Sequence, residues 1–418
     1  MTSTIGSYTL GRTLGSGFSA KVKLATAQDG TEVAMKIFRL DNPEFNQRAF
    51  QLLKDEVSSV QTLDHRHVVK YFEFNESSIW NKKNGEQVPV AYIASELVPG
   101  GELFDYVANS GPFGEKIVRY YAKQLIQAIH YIHTKGFAHR DLKCENILLD
   151  KLYDVKVVDF GFACPVEGRT GDGMNRSIVG SLGLMAPEIH AKQPYQGQVV
   201  DLFALGVILF IMYAGHPPFN MASIDDPHYK LIATNRSQQF WSAHSNRKPD
   251  GFFSDNFKDL ITAMLNFHPH QRLSIPDIVA HPWLQQGEFA TPQEVRQEFA
   301  NRQQTNKELA RQEQERKAEM KQHCTNQRRR DFEIDSKVYR WMDDPELTDE
   351  KRNDPTTVLL KMKDFVEGTN GTHGFFSTMP PEEILSQFCG KMREKGQKFT
   401  VSETNMRVNF QVQKQING

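Results

Sequence analysis

Two acid-bearing loops, set a short distance apart, constrain what this chain can fold into more than any other feature. The first is FAHRDLKCENILLD, residues 137–150, which packs Asp141, Lys143 and Asn146 into one loop ahead of the apolar strand ILL. Thirteen residues beyond Asn146, VVDFGFA carries a second acid, Asp159, on a tight turn that Gly161 permits. Strand-like alternation dominates the early chain in YTLGRTL, KVKLATA and EVAMKIF, whereas VRYYAKQLIQAIHYIH and FKDLITAMLNF repeat with helical period. The expectation for residues 8–284 is therefore a two-lobed α+β domain, a small β-rich lobe followed by a larger helical one.

Composition narrows the partners. With 418 residues the chain has room for two or three domains, and 39% hydrophobic with 24% charged residues is ordinary for a globular protein. Lys plus Arg number 50 against 51 Asp plus Glu, so no global field draws nucleic acid or an anionic membrane. Cys144, Cys164, Cys324 and Cys389 show neither a C-x-x-C pair nor a framework spacing, which suits a reducing compartment. The segment MTSTIGSYTL lacks a signal-peptide pattern, and the longest apolar run, ALGVILFIMYAG, has the length of a buried helix rather than a membrane span. The expectation is a cytoplasmic or nuclear protein with no nucleic-acid partner.

Beyond residue 284 the character changes twice. Residues 285–354 are dense in Gln, Arg, Lys and Glu with almost no apolar stripe, which predicts a polar linker, either a solvated helix or disordered. An alternative reading of the same stretch is a calmodulin-type target helix with Phe299 and Leu309 as apolar anchors. Residues 355–418 turn globular again. Ile384, Leu385, Phe388 and Met392 share one helical face, and Phe399, Val401, Met406, Val408, Phe410 and Val412 alternate around the polar turn SETN as a β-hairpin would. A small α+β module closes the chain.

The two loops carry a recognisable chemistry. Phosphoryl transfer needs a carboxylate to accept a hydroxyl proton, positive charge on the moving group, and oxygen ligands for magnesium. Asp141, Lys143, Asn146 and Asp159 offer all of these. Upstream, LGSGFSAKVKLA places Gly15 and Gly17 between two strands, where backbone N–H groups can approach phosphate oxygens, and VAMK puts Lys36 on the next strand. Glu56, in LLKDEVSSVQTL, can supply its partner.

With these motifs the chain resembles the eukaryotic serine/threonine protein kinases over about two thirds of its length. GGELFDYV, GHPPF and QRLSIPDIVAHPWL look most like the calcium/calmodulin-dependent and AMP-activated/SNF1-type group. The resemblance implies ATP and Mg2+ as cofactors and assigns roles position by position. Leu14, Gly15, Gly17, Val22, Ala34, Lys36, Glu56, Ser95, Glu96 and Asp159 would surround the nucleotide. Asp141 would be the catalytic base, Lys143 would steady the γ-phosphate, and Asn146 with Asp159 would bind magnesium through ATP. Glu102 and Glu145 would hold an arginine three residues before the target hydroxyl of a protein substrate, and two converging carboxylates suit a guanidinium.

Within MNRSIVGSLGLMAPE, the same resemblance makes Ser177 the activating phosphorylation site, filled by an upstream kinase or by autophosphorylation, with Arg140 as the buried cation awaiting the phosphate. Ser181 would hydrogen-bond Asp141 and Lys143, and Glu188 would pair with Arg272 as a fold lock. Ala20, Leu184, Phe203 and His268 depart from the usual family letters, and Ser95 puts a small residue at the back of the adenine pocket. The closing module resembles kinase-associated domain 1, which implies acidic-lipid binding or autoinhibition; Glu382, Glu383, Glu394 and Glu403 dilute the basic face that lipid requires, so a docking module fits equally. A pseudokinase or scaffold acting through linker and tail is the competing class. Loss of Lys36, Asp141 or Asp159 would mark it, and none is lost.

Overall fold

A computed structural model describes residues 2–312 apart from 17–19, 43–49, 52, 55–56, 58–59, 169 and 310, together with the backbone of four short strands after residue 364. The chain divides into two units, Met1–Ala318 and Glu319–Gly418.

The first unit opens with a closed barrel of six antiparallel strands: β1 (Thr4–Ile5), β2 (Tyr8–Ser16), β3 (Lys21–Thr26), β4 (Glu32–Arg39), β5 (Tyr71–Asn81) and β6 (Gln87–Glu96), in the order β1-β2-β3-β4-β6-β5. Alternation decides which side chains fill it. In β4 the inward Val33, Met35 and Ile37 are buried with Val88, Val90, Tyr92 and Ala94 of β6, so Ala34 and Lys36 face the other way, toward the cleft. Closure depends on β1, which pairs with both β2 and β5 and is reinforced where Trp80 Nε1 donates to Ser3 Oγ at 2.8 Å. A two-residue strand leaves no periodic signal, and the lobe therefore starts before Tyr8, where the strand pattern begins.

The helical layer is built on α1 (Leu103–Ser110), α2 (Glu115–Thr134) and α3 (Gly197–Ala214). In α2 the apolar residues Val118, Tyr121, Leu125, Ile129 and Ile132 recur three or four apart and form one buried stripe. Helix α3 is apolar on all sides and long enough to cross a membrane, but it is buried on nearly every side as the centre of this layer. Between α2 and α3 run short strands β7 (Phe137–Ala138), β8 (Ile147–Leu149), β9 (Val155–Val157) and β10 (Cys164–Pro165); β8 pairs with β9, and β7 with β10. These pairings set the two acid-bearing loops side by side.

The first part of the stretch expected to be a polar linker is helical but, contrary to that expectation, not simply solvated; its remainder, residues 313–354, lies outside the described residues. Residues 292–309 are helical but packed, with Ala290, Val295 and Phe299 joined to the helical core and Phe299 wholly buried. One buried phenylalanine contributes about 1.5–3 kcal/mol, so a helix polar on most positions still docks. Leu309 remains exposed.

In the second unit, Phe399–Ser402 pairs antiparallel with Arg407–Phe410, and Phe365–Val366 with Gly374–Phe375. The hairpin register sets Val401 opposite Val408, as alternation around SETN predicts. The expected helix carrying Ile384, Leu385, Phe388 and Met392 lies outside the described residues, as do Met406 and Val412.

Candidate active site

The site is built on strained backbone. Arg140 and Asp159 have φ of 64° and 62°, the left-handed region that side-chain-bearing residues avoid. The structure holds Arg140 there through Asp201, near the start of α3, whose buried carboxylate accepts from the backbone N–H of His139 at 2.8 Å and of Arg140 at 2.7 Å. His133 Nε2 meets the same carboxylate at 2.9 Å. On the other side, His139 Nε2 lies 3.0 Å from the Val158 carbonyl and its ring 4.9 Å from Phe160, bracing the turn that carries Asp159. Sequence reasoning missed Asp201. The available signal is a lone acid inside GQVVDLFALGVILF, because a carboxylate buried among apolar residues must find donors.

Three polar side chains meet at Asp141. Ser181 Oγ donates to Asp141 Oδ1 at 2.9 Å and accepts from Lys143 Nζ at 3.1 Å. Lys143 Nζ stands 3.0 Å from Asp141 Oδ2, and Asn146 Nδ2 donates to that oxygen at 3.1 Å. Ser181 comes from a distant loop, and Gly180 lets it arrive: φ there is +113°, and a Cβ would press against the Arg140 carbonyl oxygen at 3.0 Å. The acid is thus oriented on three sides, beside Asn146, which lines the cleft.

That cleft, of about 420 Å³, lies between barrel and helical layer. Leu14, Gly15, Val22, Ala34 and Lys36 line it from the barrel, and Ser95 with Glu96 from the end of β6. Glu102, Asp105, Glu145, Asn146 and Asp159 line it from below. Lys36 Nζ reaches Asp159 Oδ1 at 2.8 Å. Burial pushes the Asp159 carboxyl up, but Lys36, with His139 and the Gly161 backbone N–H, outweighs it and holds the group below the ordinary carboxylate range. Ser95 Oγ donates to the Ala34 carbonyl at 3.3 Å, and Glu96 is tied down by Lys156 at 2.8 Å. Gly17 and Glu56 lie outside the described residues.

The donor set fits a nucleotide-borne magnesium ion. Asn146 spends its amide nitrogen on Asp141, leaving the amide oxygen as the atom it can offer a hard cation, and Asp159 brings an ionised carboxylate to the same cleft. Among the described residues no three His, Cys, Asp or Glu side chains gather to hold a metal without such a ligand.

With this geometry in view, comparison with known proteins is decisive. Residues 8–284 match the protein kinase domain. The chain belongs to the protein kinase family. Among its relatives, CBL-interacting protein kinase 33 of Oryza sativa subsp. japonica is 35% identical over 285 residues, 68% of this chain and 58% of that protein. CBL-interacting protein kinase 30 of the same species is 36% identical over 290 residues, covering 68% and 55%. CBL-interacting serine/threonine-protein kinase 26 of Arabidopsis thaliana is 33% identical over 283 residues, covering 68% and 60%. The matched stretch spans less than two thirds of each of these relatives.

Protein kinases use ATP and Mg2+, and the remaining residues named from the sequence fall around the site. Ser177 is exposed, with its Oγ accepting from Arg140 Nη1 at 2.8 Å. The same guanidinium donates to Asn175 Oδ1 and the Phe162 carbonyl, all neutral acceptors; among the described residues it has no carboxylate partner. Tyr195, also missed, fixes the serine by donating to its carbonyl at 2.8 Å. Glu188 and Arg272 meet in the interior of the helical layer. Burial pushes the Glu102 carboxyl up, and Asp105 and Glu145 push it further, so three acids share one lip of the cleft.

Proposed function

We propose that this chain is a serine/threonine kinase that moves the γ-phosphoryl group of ATP to a protein hydroxyl. The observation that carries the reading is the oriented carboxylate of Asp141, held by Ser181, Lys143 and Asn146 next to a cleft that Asn146 and the Lys36–Asp159 pair line. A substrate hydroxyl facing Asp141 gives up its proton as the new O–P bond forms, while the bond from the γ-phosphorus to the ADP oxygen breaks. Lys143 neutralises the transferring group, and Lys36 with Asp159 orients the phosphates. Magnesium, held through Asn146 and Asp159, would supply charge neutralisation on the phosphate oxygens.

Substrate choice follows from the acidic lip. Glu102, Asp105 and Glu145 repel one another, and an arginine ahead of the target serine relieves that repulsion with charge-assisted bonds. Activation follows from Arg140, whose cation donates only to neutral partners until Ser177 is phosphorylated by another kinase or by the chain itself. The relatives are named for interaction with CBL, and a regulatory protein partner for this chain is part of the reading. A calmodulin-type partner would have to detach Phe299 from its own domain first. For the second unit, acidic-lipid binding and protein docking are both retained.

The test is transfer of labelled γ-phosphate to a serine peptide with arginine three residues before the serine, with Asp141→Asn as the blank. Transfer falling by about 10²–10⁴-fold in the variant is expected of a lost general base. Equal transfer by both proteins, or none by either, overturns the proposal in favour of a scaffold.

A further inference from the structure

Helix α1 carries Asp105 and, at its N-cap, Glu102, two of the three acids of the lip, and is held at both ends. At its N-terminal end, Gly100 N–H donates to the Leu149 carbonyl at 2.8 Å, and Leu149 N–H returns a bond to Gly101 at 2.9 Å. Gly100 has no room for a side chain, since a Cβ would collide with the Leu149 carbonyl oxygen. The start of α1 is therefore stitched to β8, next to Asn146. At its other end the last carbonyls of a helix lack partners of their own. Here a residue from beyond the family match provides them: Arg302 donates to the carbonyls of Ser110 at 3.0 Å, Gly111 at 2.9 Å and Pro112 at 3.0 Å. The guanidinium lies 4.8 Å from the Phe113 ring and is oriented by Glu298, one turn earlier on its own helix.

The middle of α1 is gripped by the same helix. Phe299 packs against Tyr106 of α1 with ring centroids 5.0 Å apart, and Tyr106 donates its hydroxyl to the Gly100 carbonyl at 2.6 Å. A continuous packed path thus runs from Phe299 through Tyr106 to Gly100, two residues before Glu102. Neither Arg302 nor Phe299 lines the cleft itself.

We propose that the 292–309 helix is a positioning element for substrate: it fixes α1 so that Glu102 and Asp105 present their carboxylates to an arginine-bearing peptide. Arg302 and Phe299 are its positioning residues. The proposal rests on the kinase reading with its preference for arginine. Releasing the helix leaves phosphate chemistry intact and weakens peptide selection, so a partner that captures this helix would change which substrates are used rather than how fast phosphate moves.

The experiment uses the full chain with two peptides, one carrying arginine three residues before the serine and one carrying alanine there. For Arg302→Ala, the KM for the arginine peptide should rise by about three- to tenfold, the scale of a lost hydrogen-bond cluster. The kcat, the KM for ATP and the KM for the alanine peptide should stay put, and Arg302→Lys should recover part of the loss. Phe299→Leu is the second variant and should narrow the ratio between peptides in the same direction. Wild-type discrimination that persists unchanged in Arg302→Ala and Phe299→Leu overturns the positioning role alone. Absence of discrimination in the wild type overturns the arginine preference and the positioning role with it.

Discussion

Arg272 grips Glu188 with two parallel hydrogen bonds, each 2.7 Å long, although the residues stand 84 apart in the chain. The side chains are 1% and 9% exposed, and the guanidinium also lies 4.8 Å from the ring of Phe203. The pair fastens the end of the loop that carries Ser177 and Ser181 to the helical layer. Removing one partner strands the other charge in a dry site, at a cost of about 3–5 kcal/mol. Urea unfolding of Glu188→Gln should show a loss of that size; a loss below about 0.5 kcal/mol would class the bridge with exposed surface pairs.

Ser177 is already a hydrogen-bond acceptor of Arg140, so a phosphate there gains a partner without rebuilding the loop. One charge-assisted bond is worth about 1.5–3 kcal/mol, which corresponds to a change of about ten- to a hundredfold. Phosphatase treatment should lower peptide phosphorylation by the wild type on that scale and leave Ser177→Ala, already low, unaffected. Equal activity of Ser177→Ala and untreated wild type would remove Ser177 from regulation.

Ser95 sits between Ala34 and Tyr71 in the barrel register and adds almost no bulk to the rear wall of the cleft. ATP-competitive compounds with a large group on the adenine amine should fit this protein. Ser95→Met fills that space, and overpacking costs about 1–3 kcal/mol, so inhibition should weaken by about five- to a hundredfold. Unchanged inhibition of the two proteins would show that the space lies elsewhere.

His67 supplies a pH dependence. Burial pushes its imidazole down to about 4 from an ordinary 6.5, and its Nδ1 stays 3.0 Å from the Val155 carbonyl. Between those values the unfolded chain binds a proton that the folded chain refuses, so stability falls as pH drops from 6.5 toward 4. His244 acts in the same sense, also pushed down to about 4 by burial. Thermal unfolding should show Tm declining through this window, and His67→Asn should flatten the decline. An identical pH slope in that variant would assign the effect to other groups.

What could be read in advance divides by distance along the chain. Asp141, Lys143 and Asn146 sit in one short loop, where residue type and spacing alone carry the chemistry, and the barrel strands announce themselves by alternation. Asp201 could not be read that way, because its partners are backbone N–H groups of His139 and Arg140, about sixty residues upstream. Phe299 is a single aromatic in a stretch that otherwise reads as solvated, and its value comes from the aromatic cluster of Tyr106, Phe113, Tyr121 and Tyr153 that it meets. Periodicity detects stripes, and a helix docked through one deep anchor has too little stripe to detect.

The two-residue strand β1 has a consequence larger than its length. By pairing with β2 on one side and β5 on the other, it leaves the barrel without a free edge. Prying it loose would uncover two rows of unpaired backbone groups, on the strand that leads into the phosphate loop and on the one opposite. Exposed rows of this kind recruit strands from other molecules. Thr4 and Ile5 therefore leave neither β2 nor β5 an open row for another chain to join, and two residues close the seam of the whole barrel.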